Sequence, residues 1–391
     1  MIKIILKARK EESVKRFHPW IFSGAIQSIE GNPEEGELVA LYSEDKQFLG
    51  IGHYQIGSIA VRIVSFEDVP VDFRFWAGKI KRAWELRKAI GLISETNNMY
   101  RLVHGEGDSL PGLIVDVYNE TAIVQAHSIG MHNIREMLSQ AILDTVDGVK
   151  NIYYKSSTTL PFKADIHPED GYVSGKPDND YTAKENGLLF YVDWLKGQKT
   201  GFFVDQRDNR SLLERYSGGK SVLNMFCYTG GFSVYAMRGN AKLVHSVDSS
   251  AKAIELTNAN VALNYPSDNR HKAFAEDAFK FFAANKTDYD LIILDPPAFA
   301  KRRSALKNAL KGYKRLNVKA FEQITPGGIL FTFSCSQIVT KDQFRMAVFS
   351  AAAETKRNVR ILHQLSQSAD HPVNIYHPEG EYLKGLVLWV E

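Results

Sequence analysis

An aspartate and a cysteine, each placed directly after an apolar run, are the side chains of this sequence best suited to chemistry. Asp295 opens the segment Asp-Pro-Pro-Ala-Phe after residues 290–294, and Cys335 follows residues 328–334. Both runs predict strands of an open α/β sheet, whose ligands bind at the carboxyl ends of the strands. A thiolate there is a nucleophile, and a neighbouring carboxyl group can share a proton with a substrate. The pair therefore predicts covalent catalysis.

Each of these residues also has a purely structural interpretation. Most free cysteines are small buried hydrophobic residues, and an aspartate at a strand end can cap a turn. The second cysteine, Cys227, lies inside a glycine-rich turn, where packing is a sufficient explanation for it. Because the Asp295 segment contains no cysteine, Cys335 is the candidate nucleophile. The group that would remove a proton from the substrate is not identifiable.

The stretch 222–233 predicts a cofactor site. There an apolar run breaks into Gly230-Gly231 and then resumes a helical pattern. Glycines let the backbone approach a ligand closely, and the start of a helix offers unpaired N–H groups. A second apolar run ends in Asp248, about 20 residues further on, where nucleotide-binding folds hold ribose hydroxyls. The Gly-x-Gly-x-x-Gly spacing that cradles a pyrophosphate is missing, so a dehydrogenase is disfavoured.

Composition and charge limit the class of protein. The chain has 391 residues, of which 44% are hydrophobic and 24% are charged, so two or three globular domains are expected. The net charge of +3 is too small to indicate nucleic-acid binding by itself. Two cysteines cannot form a disulfide framework and no Cys/His cluster has zinc-ligand spacing, so we expect a cytoplasmic protein without a bound metal. Early lysines argue against a signal peptide, and no window predicts a membrane span.

The rest of the chain divides into recognisable segments. Short β-rich runs alternate with turns over 38–64, which predicts a small β-barrel-like module. A basic segment with Lys7 and Arg9 precedes this module and leads into His18-Pro19-Trp20. Aromatic residues at helical spacing in 73–84 predict an amphipathic linker helix. Residues 100–187 predict a second small α/β unit, in which the Gly, Asp and Pro of 105–112 are typical of a structural turn.

The order of these segments resembles a known family. The segments HPWIFSGAI and FLGIGHY resemble a PUA domain, which is an RNA-binding fold. With GFFVDQR at 201–207, the glycine-rich stretch, DPP at 295–297 and SCS at 334–336, the whole chain resembles the RlmI-type ribosomal RNA cytosine-C5 methyltransferases. The resemblance implies an α/β protein with a PUA-like β-barrel at 1–70, a linker helix and central α/β domain at 71–190, and a Rossmann-like class I methyltransferase domain at 191–391.

The resemblance implies S-adenosyl-L-methionine as the cofactor, which has no pyrophosphate to cradle. The glycine-rich turn is expected at its methionine part, Asp248 at its ribose and Asp277 at its adenine amino group. The full set of expected cofactor residues is Phe203, Asp205, Gln206, Arg207, Asn224, Phe226, Cys227, Tyr228, Thr229, Gly230, Gly231, Asp248, Ser249, Asp277, Asp295 and Pro296.

The cysteine favours a cytosine as the methylated base. Carbon 5 of a pyrimidine is too weak a nucleophile to attack a sulfonium methyl group, so a thiolate must first add to carbon 6. We therefore expect Cys335 and Asp295 to be catalytic, with Asp295 at N3 of the ring. Methylation of a guanine nitrogen, which needs no cysteine, is the alternative enzyme activity. From another class, a non-catalytic RNA-binding ribosome assembly factor is the alternative.

Local charge favours RNA as the partner. Residues 298–321 carry eight basic side chains and no acidic one, next to the Asp295 segment. Phosphates would neutralise this charge with release of counterions, although a solvated helix face is the alternative. The resemblance implies ribosomal RNA and is compatible with a homodimer. The residues expected to contact the substrate are Phe299, Lys301, Arg302, Arg303, Lys7, Arg9 and Trp20.

Overall fold

The computed structural model describes residues 1–161, 166–177, 181–300 and 302–391, which form two compact units. The first unit consists of Met1–Gly187, Val192–Val204 and Ala369–Gly380. The second unit consists of Leu188–Tyr191, Asp205–Ser368 and Glu381–Glu391. Within the described ranges, no helix combines the length and the apolar character needed to cross a bilayer.

The N-terminal part of the first unit is a β-sheet module. Its elements are β1 (Ile2–Leu6), α1 (Glu12–Lys15), β2 (Trp20–Phe22), β3 (Ile26–Glu30), β4 (Leu38–Tyr42), β5 (Phe48–Tyr54) and β6 (Ile59–Ser65). The strands lie in the order β2-β6-β5-β4-β1-β3, with β1 parallel to β4 and the other neighbours antiparallel. Alternate residues of these strands, such as Ile4, Leu6 and Val61, are fully buried and form the core of the module.

A helix and a second sheet complete the first unit. Helix α2 (Phe73–Ala89) is capped at its N-terminus by Asp72, whose carboxylate accepts a hydrogen bond from the Phe75 amide. The elements that follow are β7 (Met99–His104), β8 (Leu113–Tyr118), β9 (Thr121–Ala126), α3 (Ile129–Asn133), α4 (Arg135–Thr145), β10 (Asn151–Tyr154), β11 (Gly171–Ser174) and β12 (Thr182–Glu185). The sheet order is β11-β10-β9-β8-β7. Trp76 and Ile80 of α2 share one apolar core with this sheet and with α4.

The predicted turn at 105–112 is confirmed, and its aspartate has a structural partner. Residues Gly105–Asp108 form a short 3-10 helix. Asp108 pairs with Arg87 of α2 at 2.5 Å, with side chains 2% and 0% exposed. Arg87 also donates to the carbonyls of Arg101 and Asp370. This buried guanidinium ties α2, the turn and the segment Ala369–Gly380 together.

The second unit contains the glycine-rich stretch and both candidate catalytic residues. Its elements are β13 (Leu188–Tyr191), α5 (Arg207–Tyr216), β14 (Ser221–Met225), α6 (Gly231–Arg238), β15 (Leu243–Asp248), α7 (Ala251–Asn264), β16 (His271–Ala275), α8 (Ala278–Ala284), β17 (Tyr289–Leu294), α9 (Leu306–Gln323), β18 (Ile324–Ser334), α10 (Lys341–Thr355), β19 (Val359–Leu365) and β20 (Lys384–Val390).

The sheet of the second unit is doubly wound. Its order is β16-β15-β14-β17-β18-β20-β19, and all neighbours are parallel except those of β20. The chain runs outward from β14 to β16 and then returns to place β17 on the other side of β14. This reversal creates a switch point between β14 and β17, where ligands of such sheets bind. The predicted α/β class is confirmed.

Candidate functional site

The turn after β14 has an unusual backbone. Phe226, Tyr228 and Gly230 all have left-handed φ angles, of 60°, 48° and 79°. Such conformations are costly for residues other than glycine and cluster at ligand sites, where the surrounding structure enforces them. Gly230 caps α6, and a Cβ atom at this position would lie 2.8 Å from Cγ2 of Thr257. The backbone conformation of residues 226–230 therefore determines the shape of this turn at the switch point. The sequence predicts the cofactor at the same turn.

The carboxylate of Asp248 braces this turn from the end of β15. Its Oδ2 accepts from the amide of Tyr228 at 3.0 Å, and its Oδ1 accepts from the amide of Ser250 at 2.9 Å. The residue is partly exposed, and a carboxylate has lone pairs beyond these two bonds. Asp248 can therefore both hold the turn and accept from a hydroxyl group of a ligand.

Buried polar groups fix Asp295 at the end of β17. The amide Nε2 of Gln206 donates to Oδ2 of Asp295 at 3.1 Å, and Oε1 of Gln206 accepts from Asn209 at 2.6 Å. Next to Gln206, Asp205 accepts from the hydroxyl of Tyr382 at 2.6 Å. Gln206 and Asn209 are each 3% exposed. The segment 205–209 thus orients the predicted catalytic carboxylate.

The structure places Cys335 beside the Asp295 segment. The Cys335 thiol lies 3.9 Å from the carbonyl oxygen of Pro296, the residue after Asp295. The next residue, Ser336, accepts from the amide of Ala300 at 3.3 Å and hydrogen-bonds the Tyr313 hydroxyl at 3.0 Å. Cys335 is partly exposed. A thiol and a carboxyl group therefore lie at the ends of neighbouring parallel strands.

Cys227 has a different environment from Cys335. Its side chain is 6% exposed, and its sulfur lies 3.6 Å from the hydroxyl of Thr257. Burial raises the pKa of the Cys227 thiol to about 12. A thiol with such a pKa is a poor nucleophile near neutral pH. Its place in the turn is explained by packing.

The other expected cofactor residues are spread over several places. Asn224 is buried in β14 and donates to Ser233, Thr229 is buried in the turn, and Ser249 is exposed after Asp248. Asp277 caps α8, where Oδ1 accepts from the amides of Phe279 and Lys280. Phe203 belongs to the first unit, and there the Lys199 ammonium lies 5.1 Å from its ring centroid. The roles of these residues toward the cofactor stay predictions.

The expected substrate residues near Asp295 differ in exposure. Phe299 is partly buried against α9, with its ring centroid 4.6 Å from that of Tyr313. Arg302 and Arg303 are exposed, and Lys301 lies outside the described residues. Two further basic residues of this stretch, Lys314 and Lys319, are paired with Glu354 and Glu322 at 2.6 and 2.7 Å. The unneutralised basic surface is thus smaller than the sequence indicates.

In the N-terminal module, the three expected RNA contacts also differ. Lys7 and Arg9 are exposed, although the Lys7 ammonium donates to the Gly24 carbonyl at 3.0 Å. Trp20 is partly buried, and its indole N–H donates to Glu106 at 2.7 Å. Its ring also packs on His377, with centroids 4.3 Å apart. Trp20 therefore has a structural explanation, and its contact with RNA stays a prediction.

Three of the described residues lie close enough together to hold a metal ion. The ligand atoms of His18, His377 and Glu379 lie within 4.8 Å of one another. However, Nδ1 of His18 accepts from the amide of Trp20 at 3.2 Å, which leaves Nε2 as the ring nitrogen open to other contacts. This Nε2 faces Glu379 at 3.6 Å. One ring nitrogen of His18 is thus engaged by the backbone and the other faces a carboxylate at ion-pair distance, and these contacts explain the cluster without a metal.

Two residues near the site were missed from the sequence. Tyr382 bonds Asp205, and Lys384 donates from Nζ to the Ser336 carbonyl at 2.6 Å. Lys384 is the first residue of β20 and Tyr382 lies two residues before it, and both are far along the chain from the residues they contact. The only local indication is a lysine at the beginning of an apolar strand, which alone carries little information. The place of Lys384 follows from the antiparallel pairing of β20 with β18, in which it stands opposite Ser334.

The fold and the strand-end turn define an S-adenosylmethionine-dependent methyltransferase with an N-terminal PUA-like domain. Residues 158–375 match the family model of S-adenosylmethionine-dependent methyltransferases, and residues 4–66 match that of PUA-like domains. The donor set fits this cofactor, since Asp248 can accept from ribose hydroxyls and the turn lacks a pyrophosphate cradle. The expected family and the expected cofactor are confirmed.

Full-length relatives specify the family further. Ribosomal RNA large subunit methyltransferase I of Aeromonas salmonicida is 38% identical over 391 residues, with 98% of each chain covered. The protein of the same name from Aeromonas hydrophila is 39% identical over 393 residues, again with 98% of each chain covered. The chain belongs to this family. A crystal structure of a putative methyltransferase complexed with SAH has the same fold, with a TM-score of 0.86 and 24% identity over 100% of both chains.

Proposed function

We propose that this enzyme methylates carbon 5 of a cytosine in large-subunit ribosomal RNA through a covalent adduct between Cys335 and carbon 6. The observation that carries the proposal is the 3.9 Å approach of the Cys335 thiol to the Pro296 carbonyl, next to Asp295. Methylation of a base nitrogen would need no cysteine nucleophile at this place. The name of the full-length relatives supports ribosomal RNA of the large subunit as the substrate.

The side chains of this site have separate tasks in the proposed reaction. Cys335 loses its thiol proton to solvent, and its sulfur forms a bond to carbon 6 of the cytosine. Asp295, in its protonated form, hydrogen-bonds N3 and shares its proton with the ring as electrons move toward it. Carbon 5 thereby gains the nucleophilic character of an enamine. After methylation, the carbon-5 proton goes to solvent, its electron pair returns to the ring as the C6–S bond breaks, the Cys335 thiolate leaves, and Asp295 takes back the proton that it shared with N3.

The residues of the strand-end turn would hold the cofactor. When bound, S-adenosyl-L-methionine supplies an electrophilic methyl group. We propose that the backbone of 226–231 faces its methionine part and that Asp248 accepts from its ribose. Asp277 is proposed at the adenine, although its cap bonds to α8 already explain its position. Gln206 holds Asp295 in place from the adjacent segment.

RNA binding is proposed for the N-terminal module and for the exposed basic residues before α9. The domain division that we propose is an RNA-binding module at 1–70, a linker helix with a central domain at 71–190, and the methyltransferase domain at 191–391. Arg302 and Arg303 are exposed and follow the Asp295 segment directly. We further propose a cytoplasmic location, where ribosomal RNA is available, and a homodimer, which light scattering would test.

Nucleoside mass spectrometry tests the chemistry. Unmodified large-subunit ribosomal RNA is incubated with S-adenosyl-L-methionine and with the wild type, Cys335→Ala or the matched control Cys227→Ala. We expect 5-methylcytosine with the wild type and the control and none with Cys335→Ala. RNA containing 5-fluorocytidine should form a covalent complex that requires Cys335, because fluorine cannot leave as a proton does. A methylated guanine, or an active Cys335→Ala variant, would refute the proposal.

A pair of charge variants tests the RNA surface. The double variant Arg302→Ala, Arg303→Ala removes two exposed charges, whereas Lys314→Ala, Lys319→Ala removes two charges that Glu354 and Glu322 already neutralise. Each lost phosphate contact should lower the slope of log K against log salt by about 1. We expect weaker binding and a smaller slope for the arginine variant alone. Equal behaviour of both variants would contradict a specific role for the two arginines.

A further inference from the structure

Lys384 reaches across the position of Cys335 from the neighbouring strand. In the antiparallel pair of β18 and β20, Lys384 stands opposite Ser334, the residue before Cys335. Its Nζ donates to the carbonyl of Ser336, the residue after Cys335, at 2.6 Å. The lysine is 5% exposed. Its side chain therefore runs from one neighbour of the cysteine to the other.

The charges around Lys384 favour an interaction with the cysteine. Burial lowers the pKa of the Lys384 ammonium to about 8, and a negative charge on Cys335 raises this pKa. Glu381 also raises the pKa and Lys341 lowers it, but these two residues pair with each other at the protein surface. From the α9 side, the site is faced by the hydroxyl of Tyr313, whose pKa burial raises. A negative charge on Cys335 would thus act as a counter-charge for the buried ammonium.

This interaction is reciprocal. An anion that stabilises the ammonium is itself stabilised by it, to the same extent. A cysteine without such a partner has a pKa of about 8.5, so that only a few per cent is thiolate at neutral pH. An adjacent cation increases the thiolate fraction. The hydrogen bond to Ser336 gives the lysine a second effect, since it fixes the backbone that carries the thiol.

We infer that Lys384 is a positioning residue that increases the thiolate fraction of Cys335 and holds it in place beside the Asp295 segment. The inference rests on the proposed function of Cys335 as the nucleophile. In the step concerned, the thiol proton goes to solvent, the sulfur electron pair forms the bond to carbon 6, and the ammonium keeps its protons. Lys384 does not touch the reacting atoms of the base.

The test measures the reactivity of the thiol itself, apart from methyl transfer. Alkylation of the full-length protein by iodoacetamide is followed against pH by peptide mass spectrometry, in wild type, Lys384→Met and Lys384→Arg. Cys227, with its buried thiol, serves as the internal control in every sample. We expect a wild-type midpoint for Cys335 below about 8.5. In Lys384→Met the midpoint should rise by about one pH unit, with alkylation at pH 7 reduced about tenfold, and Lys384→Arg should retain most of the effect.

Several outcomes would overturn the inference. A wild-type alkylation midpoint of Cys335 at or above the ordinary pKa of a cysteine would overturn the inference without any variant. This measurement therefore decides the question even if Lys384→Met does not fold. Equal midpoints in all three folded proteins, with cofactor binding by calorimetry as the check on folding, do so as well. The failure of the proposed function is recognised separately. If Cys335→Ala still forms 5-methylcytosine while Lys384→Met shifts the midpoint, the catalytic role of Cys335 is wrong and the coupling to Lys384 stands.

Discussion

Replacing Gly230 with alanine should damage both stability and cofactor binding, for reasons that the structure separates. The φ angle of 79° places the residue in the left-handed region, which costs an alanine about 1–2 kcal/mol. The new methyl group would also lie 2.8 Å from Cγ2 of Thr257. Thr257 is fully buried and donates to the Tyr228 carbonyl at 2.8 Å, so it cannot move away freely. Overpacking of this kind adds about 1–3 kcal/mol.

The matched control is Gly219→Ala. Gly219 has a φ angle of 68°, but a Cβ atom there meets nothing within 4 Å among the described residues. This variant therefore carries the conformational cost without the collision and leaves the turn after β14 intact. Urea denaturation should show a loss of about 2–5 kcal/mol for Gly230→Ala and of about 1–2 kcal/mol for the control. Calorimetry should show at least about tenfold weaker S-adenosylmethionine binding for Gly230→Ala alone.

Two results would refute this account of the turn. If both glycine variants lose the same stability, the contact with Thr257 has no energetic consequence. If Gly230→Ala binds S-adenosylmethionine with wild-type affinity, the backbone of this turn does not shape the cofactor site, and the placement of the methionine part at 226–231 fails with it.

Three further changes have definite expected outcomes. Asp108→Asn should lower the free energy of unfolding by about 3 kcal/mol, since it leaves the buried Arg87 charge without a counter-charge; urea denaturation beside an exposed Asp→Asn control checks this. Burial lowers the pKa of His53 to about 4 in the folded protein, from its ordinary value of 6.5. As the pH falls from 6.5 to 4, the unfolded chain binds a proton at His53 that the folded chain does not bind, so this residue lowers the free energy of unfolding by about 3 kcal/mol. His53→Phe should reduce that loss, and an unchanged pH profile would contradict it. Gln206→Leu should slow methyl transfer about tenfold by releasing Asp295; wild-type turnover would show that Asp295 needs no such support.

The strands that were predictable are those with uninterrupted apolar runs. The apolar run at Leu38–Tyr42 coincides with a strand of the structure, and the run at 291–294 lies within β17. A parallel strand buried on both faces needs apolar side chains at every position, so its ends are visible as the ends of the run. β1 (Ile2–Leu6) was not predicted, because its exposed Lys3 interrupts the apolar pattern. The start of β18 at Ile324 was also missed, since Pro326 and two glycines follow it.

The contacts that define the site were less predictable than the strands. Gln206 and Asp295 are 89 positions apart, and no local pattern links a glutamine to a carboxylate over such a separation. The basic stretch illustrates the same limit, since Lys314 pairs with Glu354 of the next helix. The sequence shows the number of charges, whereas their neutralisation depends on how α9 and α10 pack. Segment composition is local information, but side-chain partners follow from sheet order and register.

Register explains why the predicted nucleophile and the predicted catalytic carboxyl group leave the sheet at the same edge. Leu294 and Thr332 are partners in the parallel pair of β17 and β18, so Asp295 and Cys335 emerge from the same edge of the sheet. Further back the register shifts, because residues 325–328 stand against Asp290 alone. Gly327, with φ of 81°, allows this bulge, and the Thr325 hydroxyl fixes it by bonding Asp290 at 3.3 Å. A slip by one residue would turn every side chain of β18 to the other face of the sheet, so the bulge far from the site determines which side chain is presented beside Asp295.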